Sequence, residues 1–406
     1  MAFSDLGLRP ELIKATDALK FHEPTPVQQQ AIPSVLQGRD VLVAAQTGTG
    51  KTLAFTLPVL HRMLNNPVPG VTALVLLPTR ELAGQVAMVA KDVGRFTGIR
   101  SALLVGGESF SMQLQALRSG ASLVIATPGR LLDHLERRTI SLSRVHTLIL
   151  DEADRMLDMG FAPALHAILR YVPTERQTML FSATLPAEIS RLSNLALKDP
   201  VMIRLAREGS TADTVTQLLY PVQPNQKNDL LLSILRNTSM HSVLIFCRTK
   251  RGADRLARFL QTEDFAVVAM HADRTQAQRA AALNGFKHGK FQIMVATDIV
   301  ARGLDIKKLS HVINYDVPER TEDYVHRIGR TGRHFEVGDA FTIVSPGEER
   351  YVAAIERFIG RKLQRVQVPD FPYEYLPPPP KEKGAMERFG NRRRRFIPRG
   401  RFNRRR

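Results

Sequence analysis

Asp40-Val-Leu-Val-Ala-Ala45-Gln46-Thr47-Gly48-Thr49-Gly50-Lys51-Thr52 runs from a short apolar stretch through a glycine-rich loop into a helical pattern. The apolar part has the length and side-chain types of a strand buried on both faces. In the loop, glycines let backbone N–H groups approach phosphate oxygens, Lys51 can reach β/γ oxygens, and the Thr52 hydroxyl suits Mg²⁺. Ala45 stands where the Walker A pattern usually has its first glycine. A turn that only caps a helix is the competing reading. Gly-Lys-Thr at a strand-to-helix junction argues against it.

Outward from this stretch the alternation continues. Thr72-Ala-Leu-Val-Leu-Leu, Ser122-Leu-Val-Ile-Ala, Val145-His-Thr-Leu-Ile-Leu and Thr178-Met-Leu-Phe read as strands, with helical patterns at 80–94 and 188–197. A second set follows: Ser242-Val-Leu-Ile-Phe-Cys, Ala266-Val-Val-Ala-Met, Phe291-Gln-Ile-Met-Val-Ala, His311-Val-Ile-Asn-Tyr and Ala340-Phe-Thr-Ile-Val. Alternating strand and helix predicts α/β domains with doubly wound parallel sheets. The two sets predict domains at 1–205 and 217–370, joined by a polar linker at 206–216. The apolar rhythm stops after Val368, so 371–406 reads as a flexible tail opening on the polyproline spacer Pro377 to Pro380.

Net charge over the 406 residues is +18, and residues 381–406 hold twelve Lys/Arg against two Glu, a net +10. Arginines this dense among Gly, Asn and Phe predict a disordered arm that binds polyanions. A single cysteine, Cys247, excludes an intrachain disulfide and a Cys-based zinc cluster. No apolar run reaches the roughly 18 residues that span a bilayer. Met1-Ala-Phe-Ser-Asp5 lacks the basic start of a signal peptide. The expectation is a cytoplasmic protein without membrane contact.

Asp151-Glu152-Ala153-Asp154 follows the strand ending Leu148-Ile149-Leu150. An aspartate at that strand end is where a P-loop ATPase holds Mg²⁺, and an adjacent glutamate can orient or deprotonate a water. Pro78-Thr79-Arg80-Glu81-Leu82, Thr127-Pro128-Gly129-Arg130 and Ser182-Ala183-Thr184 likewise lie past strand ends, the edge where open α/β sheets bind ligands. His326-Arg327-Ile328-Gly329-Arg330-Thr331-Gly332-Arg333 packs four cations and two glycines into eight residues, which suits a phosphate-facing loop.

With Pro24-Thr25-Pro26-Val27-Gln28 upstream and Ala301-Arg302-Gly303-Leu304-Asp305 downstream, these motifs stand in one order over about residues 3–350. The sequence resembles the DEAD-box RNA helicases of superfamily 2, and within them the bacterial RhlE-like group. The resemblance implies two tandem RecA-like domains and ATP and Mg²⁺ as cofactors. Single-stranded RNA and short RNA duplexes are the implied partners. The RNA target stays open: the tail could bring the enzyme to a ribosomal precursor RNA, a messenger RNA or an RNA-degradation complex, and the core would be monomeric.

The resemblance also implies roles for residues. Lys51, Asp151 and Glu152 would be catalytic, with Arg330 and Arg333 as arginine fingers from the second domain. Phe21 would stack on adenine, Gln28 would read its edge, and Asp305 would touch the ribose. Gln46, Thr47, Gly48, Thr49, Gly50, Lys51 and Thr52 would line the phosphates. Thr52 and Asp151 would hold the metal, partly through water. Ser182, Ala183 and Thr184, with His326 and Arg327, would couple hydrolysis to strand separation. RNA would lie on Pro78, Thr79, Arg80, Gly106, Gly107, Thr127, Pro128 and Arg130, and in the second domain on Arg279 and Thr297.

The sequence departs from the family pattern at Ala272, Arg274, Val300 and His334, all away from the Walker motifs. Those departures bear on RNA grip and closure rate. The implied activity is RNA-stimulated ATP hydrolysis driving domain closure and local, non-processive unwinding. An ATP-gated RNA clamp that unwinds little uses the same motifs and stays open as an alternative. A DNA translocase is disfavoured by the Gln28 element and the complete Asp-Glu-Ala-Asp tetrad.

Overall fold

Seven strands form the first sheet of the computed structural model, which describes residues 1–45, 48–205, 215–301, 309–331 and 338–374. They are β1 (Val41–Ala44), β2 (Ala73–Leu76), β3 (Ser101–Leu104), β4 (Leu123–Ala126), β5 (Thr147–Leu150), β6 (Gln177–Ser182) and β7 (Val201–Arg204). All pairs are parallel, in the order β3-β4-β2-β5-β6-β1-β7. Period-two alternation splits each central strand between two cores. Val41, Val43, Val75, Ile125 and Ile149 pack under helices Pro10–Ala18, Pro26–Leu36, Lys51–Asn65 and Arg80–Val93. Leu42, Leu74, Val124, Leu148 and Leu150 face helices Pro128–Glu136, Ala153–Asp158, Ala162–Leu169 and Ala187–Ala196. A strand covered on both faces takes mostly apolar side chains, which is why these runs read as nearly continuously apolar.

The second sheet holds β8 (Val215–Pro221), β9 (Val243–Phe246), β10 (Val267–Met270), β11 (Ile293–Ala296), β12 (His311–Asn314), β13 (Gly338–Val344) and β14 (Gln364–Arg365). It too is all parallel, ordered β10-β11-β9-β12-β13-β8-β14. Counted from its own first strand, that is the order of the first sheet. The fold is therefore two copies of one doubly wound topology, as the alternating pattern predicts.

Two boundaries differ from the sequence expectation. Val215 and Thr216 belong to β8 and not to a linker; Val215 is buried and pairs with Gly338 while Thr216 is exposed, an alternation too short to stand out in a polar stretch. Residues 371–374 belong to the second domain and not to the tail. Phe371 and Tyr373 pack on its core, the Tyr373 hydroxyl accepts from Val368 N at 2.9 Å, and Glu374 N donates to Gln226 Oε1 at 3.0 Å. The rest of the expected linker and the tail from 375 lie outside the described residues.

Candidate active site

Sheet order sorts what chain order interleaves. Across the carboxyl edge of the first sheet, Gly106-Gly107 follows β3, Thr127 to Arg130 follows β4, and Pro78 to Arg80 follows β2. Next come Asp151-Glu152 after β5, Ser182 to Thr184 at the end of β6, and the Gly48–Lys51 turn after β1. The three segments expected to hold RNA occupy one half of the edge. The two expected to hold nucleotide and metal, with the expected coupling segment Ser182 to Thr184 between them, occupy the other.

In the nucleotide half, Gly48 and Gly50 have φ of +91° and +94°, a region that favours glycine. A Cβ on Gly50 would fall 2.5 Å from Gln28 Nε2 and 2.9 Å from Thr25 Oγ1. That close approach is used: Gln28 Nε2 donates to the Gly50 carbonyl at 3.0 Å, and Gln28 Oε1 accepts from Thr25 N at 2.9 Å in a capping box. Lys51 opens its helix with Nζ 3.2 Å from Glu152 Oε1, both side chains buried. Thr52 follows it, half-buried, and Phe21 is exposed.

Burial disfavours the Lys51 ammonium, but Glu152, Asp151 and Asp154 together raise its pKa. Burial lifts Asp151 to about 7; Lys51 opposes this, while Glu152 and Asp154 add to it. Burial also opposes the Glu152 charge, yet Lys51, Arg155 and His326 hold that carboxyl below its usual range. Glu152 sits in the left-handed region at φ +53°, ψ +48°, a conformation costly for a residue with a Cβ. Asp154, for which sequence reading assigned no role, ties two motifs together. Its Oδ2 accepts from Ala183 N (3.1 Å), Thr184 N (3.0 Å) and Thr184 Oγ1 (3.0 Å), and Ser182 Oγ donates to Thr184 O at 2.6 Å.

In the RNA half, Gly107 has φ +74°, and a Cβ there would run into the Arg80 guanidinium, which lies on the turn. Pro78 and Thr79 are buried, and Thr79 Oγ1 caps helix Arg80–Val93 by accepting from Leu82 N at 3.4 Å. Thr127 and Pro128, also buried, begin helix Pro128–Glu136. Gln113, another residue without a motif, braces these segments. Its Nε2 donates to Val105 O at 2.8 Å, and its Oε1 faces Arg130 Nη1 (3.3 Å) and His134 Nε2 (3.2 Å). A carbonyl only accepts, so the amide orientation is fixed and His134 Nε2 carries its proton. Phe110 stacks on that imidazole at 4.1 Å between centroids.

In the second domain Arg327 is buried and turned inward. It reaches Asp298 through Nε (2.6 Å) and Nη2 (2.7 Å), and its Nη1 donates to Asn314 Oδ1 (3.1 Å) and Asp316 O (2.8 Å). Arg330 and Thr297 are buried, and His326 is half-buried yet close enough to act on Glu152. Arg279 Nη2 lies 2.6 Å from Glu81 Oε1 across the cleft, and Arg320 pairs with Asp158. Two departures from the family pattern find partners: Arg274 donates to Asp254 at 2.5 Å, and Val300 fills the core beside Leu309 and Val312. Gln46, Thr47, Asp305, Arg333 and His334 lie outside the described residues.

The comparisons fit this geometry. The model of the DEAD/DEAH box helicase family matches residues 25–192, and that of the helicase conserved C-terminal domain matches 226–335. The chain belongs to the DEAD-box RNA helicases. DEAD-box ATP-dependent RNA helicase CshA of Bacillus subtilis is 42% identical over 91% of this chain and 74% of its own length. Dbp5 of S. cerevisiae bound to RNA and ADP BeF3 superposes with a TM-score of 0.82 at 32% identity, covering 91% of this chain and 96% of that one. A variant of the same yeast protein bound to Nup159, Gle1, IP6 and ADP gives 0.62 at 31% identity, over 90% and 96%. The chain thus superposes better on the RNA-bound form. This DEAD-box chain is an ATP-dependent RNA helicase and an ATP hydrolase, built from tandem RecA-like domains. Among its described residues no helix is long and apolar enough to cross a membrane.

Proposed function

We propose that hydrolysis takes place between Lys51 and Glu152 of the first domain and Arg330 and Arg333 of the second, and that RNA promotes it by favouring closure. The observation that carries this reading is the buried Lys51–Glu152 pair with His326 of the opposite domain acting on it. Lys51 lies over the β/γ-phosphates and Glu152 orients the attacking water. An arginine finger is worth about 10³ to 10⁵ in rate, so hydrolysis is slow until the second domain closes. Asp154 carries the change at Glu152 into Ser182 to Thr184 through its three hydrogen bonds.

Gln28 can read adenine without leaving the loop. Its amide has used one of two N–H donors and one of two lone pairs, and exposed Phe21 offers a ring to stack on the base. For Mg²⁺ the donors fit: a hydroxyl at Thr52 and a carboxylate at Asp151 are the hard oxygens it takes, with phosphate and water completing the set. The Asp151 carboxyl, pushed up to about 7 by burial, gains from a cation beside it. When bound, Mg²⁺ neutralises charge on the phosphate oxygens. Arg80, Arg130 and Arg279 face one another closely enough to depress the Arg80 pKa, after burial itself, a convergence that suits an RNA phosphate backbone. A ribosomal precursor or an RNA-degradation complex would be the setting, selected by the basic tail.

The test is ATP turnover with no nucleic acid, with RNA and with matched DNA, alongside separation of a short RNA duplex. Strong stimulation by RNA alone, together with strand separation, is expected. Equal stimulation by DNA would refute the RNA reading, and turnover without separation would leave an ATP-gated clamp.

A further inference from the structure

Because the two sheets share one strand order, each residue at the carboxyl edge of one has a counterpart in the other. Lys51 opens the helix that follows β1, and Lys227 opens the helix that follows β8. Both lysines are buried. Glu152 stands two residues past β5, and Asp316 stands two residues past β12. Lys51 Nζ is 3.2 Å from Glu152, and Lys227 Nζ is 3.8 Å from Asp316. The second domain thus repeats the lysine and the acid of the first.

The repeat does not extend to a phosphate cradle. Gly48-Thr49-Gly50 precedes Lys51, whereas Val222-Gln223-Pro224-Asn225-Gln226 precedes Lys227 without a glycine and with a proline that has no N–H to offer. A carboxylate of the chain itself takes the anion's place. Glu348 Oε2 receives Lys227 Nζ at 2.6 Å, Ser345 Oγ at 2.7 Å and Ser345 N at 3.1 Å. Its Oε1 receives Arg248 Nη2 at 3.1 Å and Val317 N at 3.2 Å. Lys227 also donates to Tyr315 O at 2.9 Å.

Residues 315–317 are therefore held at both ends, at Tyr315 by Lys227 and at Val317 by Glu348. Between them, Asp316 O accepts from Arg327 Nη1 at 2.8 Å. Arg327 lies in the helix that carries His326 and leads to Arg330.

We propose that Lys227 and Glu348 form an internally filled counterpart of the nucleotide site, and that as positioning residues they set the 315–317 segment, and through Arg327 the helix that carries His326 and leads to Arg330. This rests on the reading that Arg330 acts on the γ-phosphate. A buried pair of this kind adds little net stability but is costly to break on one side, so its use here is to fix geometry.

The test compares wild type, Lys227→Arg, Lys227→Met, the double variant Lys227→Met/Glu348→Gln and Arg330→Ala, in the full chain. The double variant removes both charges and guards against misfolding of the single one. For it, kcat for RNA-stimulated hydrolysis should fall about tenfold, with the melting temperature, the Kd of a fluorescent ATP analogue and the RNA needed for half-maximal stimulation near wild type. Lys227→Arg should restore most of the rate. Arg330→Ala separates the two readings: if its kcat is unchanged, the role of Arg330 falls first. If Arg330→Ala is slow while the double variant turns over as wild type, the positioning role of Lys227 and Glu348 is wrong. A double variant that loses ATP affinity and melts early would reduce the pair to a part of the core.

Discussion

Asp151, Glu152 and Lys51 put two carboxylates and one ammonium in a space closed to water, and the imbalance has a consequence that stability measurements can read. The Asp151 pKa rises from 3.8 to about 7 on folding. Between those values the folded state binds the extra proton, so stability falls as pH rises through that window, and above about 7 the full cost of ionising Asp151 is present. Asp151→Asn removes that cost. In nucleotide-free protein at pH 8 it should melt above wild type, by about 2–4 °C for each kcal/mol relieved, with the gap narrowing toward pH 5, while hydrolysis is lost. Identical melting at pH 8 would show that Lys51 already neutralises Asp151. Glu152→Gln acts differently. It keeps Asp151 and Lys51 but loses the carboxylate that orients water, so ATP should stay bound and the complex with RNA should outlive that of wild type by tenfold or more in a filter-binding chase. Release as fast as from wild type would remove Glu152 from that role.

At the scale of elements, the strands buried on both faces were legible because their centres are apolar; β1, β2, β4, β5, β6, β9, β11 and β12 all follow apolar runs. Four strands escape that pattern. β3, β7 and β14 lie at sheet edges with exposed residues in each, and β8, beside an edge, alternates buried with exposed. An edge strand has solvent on one side, so its sequence carries less apolar signal. The site divides the same way. Most residues in named motifs could be read directly, whereas the roles of Asp154, Gln113 and Lys227 lie in partners 8 to 121 positions away in sequence, which the fold brings together. Gln113 gives a direct test. Gln113→Leu strands the Val105 carbonyl and takes one partner from Arg130, leaving it Glu108 O and Asp133, and a hydrogen bond to a charged group is worth about 1.5–3 kcal/mol. The RNA concentration for half-maximal stimulation should rise about tenfold or more, with kcat at saturating RNA preserved. An unchanged RNA requirement would mean that Arg130 needs no brace.

For the molecule as a whole, the last described residue, Glu374, lies beside Asn225 and Gln226, at the start of the helix that Lys227 opens. Beyond it the chain carries twelve Lys/Arg in residues 381–406, with Phe389, Phe396 and Phe402 among them. Cations interleaved with aromatic rings hold single strands by charge and stacking, with little sequence preference. The logarithm of the binding constant falls by about 0.7 per phosphate neutralised for each tenfold rise in salt. If about six phosphates are engaged, ending the chain at Glu374 should flatten that slope by about four units. Turnover at saturating RNA should survive. An unchanged slope would make the tail passive toward RNA, and lost turnover would make it part of the core.

The strand order also sets a timetable for synthesis. β1, which precedes the phosphate loop, pairs only with β6 and β7. Val41 therefore leaves the ribosome with no strand partner until the chain has been extended to Gln177 and beyond, on the order of ten seconds at ~5–20 residues per second. Through that interval the apolar run Val41-Leu-Val-Ala44 is exposed beside β2, a strand that cannot receive it until β5 and β6 have come between them. The nascent helicase should be a client of chaperones that shield apolar segments early, and release from them should coincide with emergence of Gln177–Ser182, when the middle of the sheet can close.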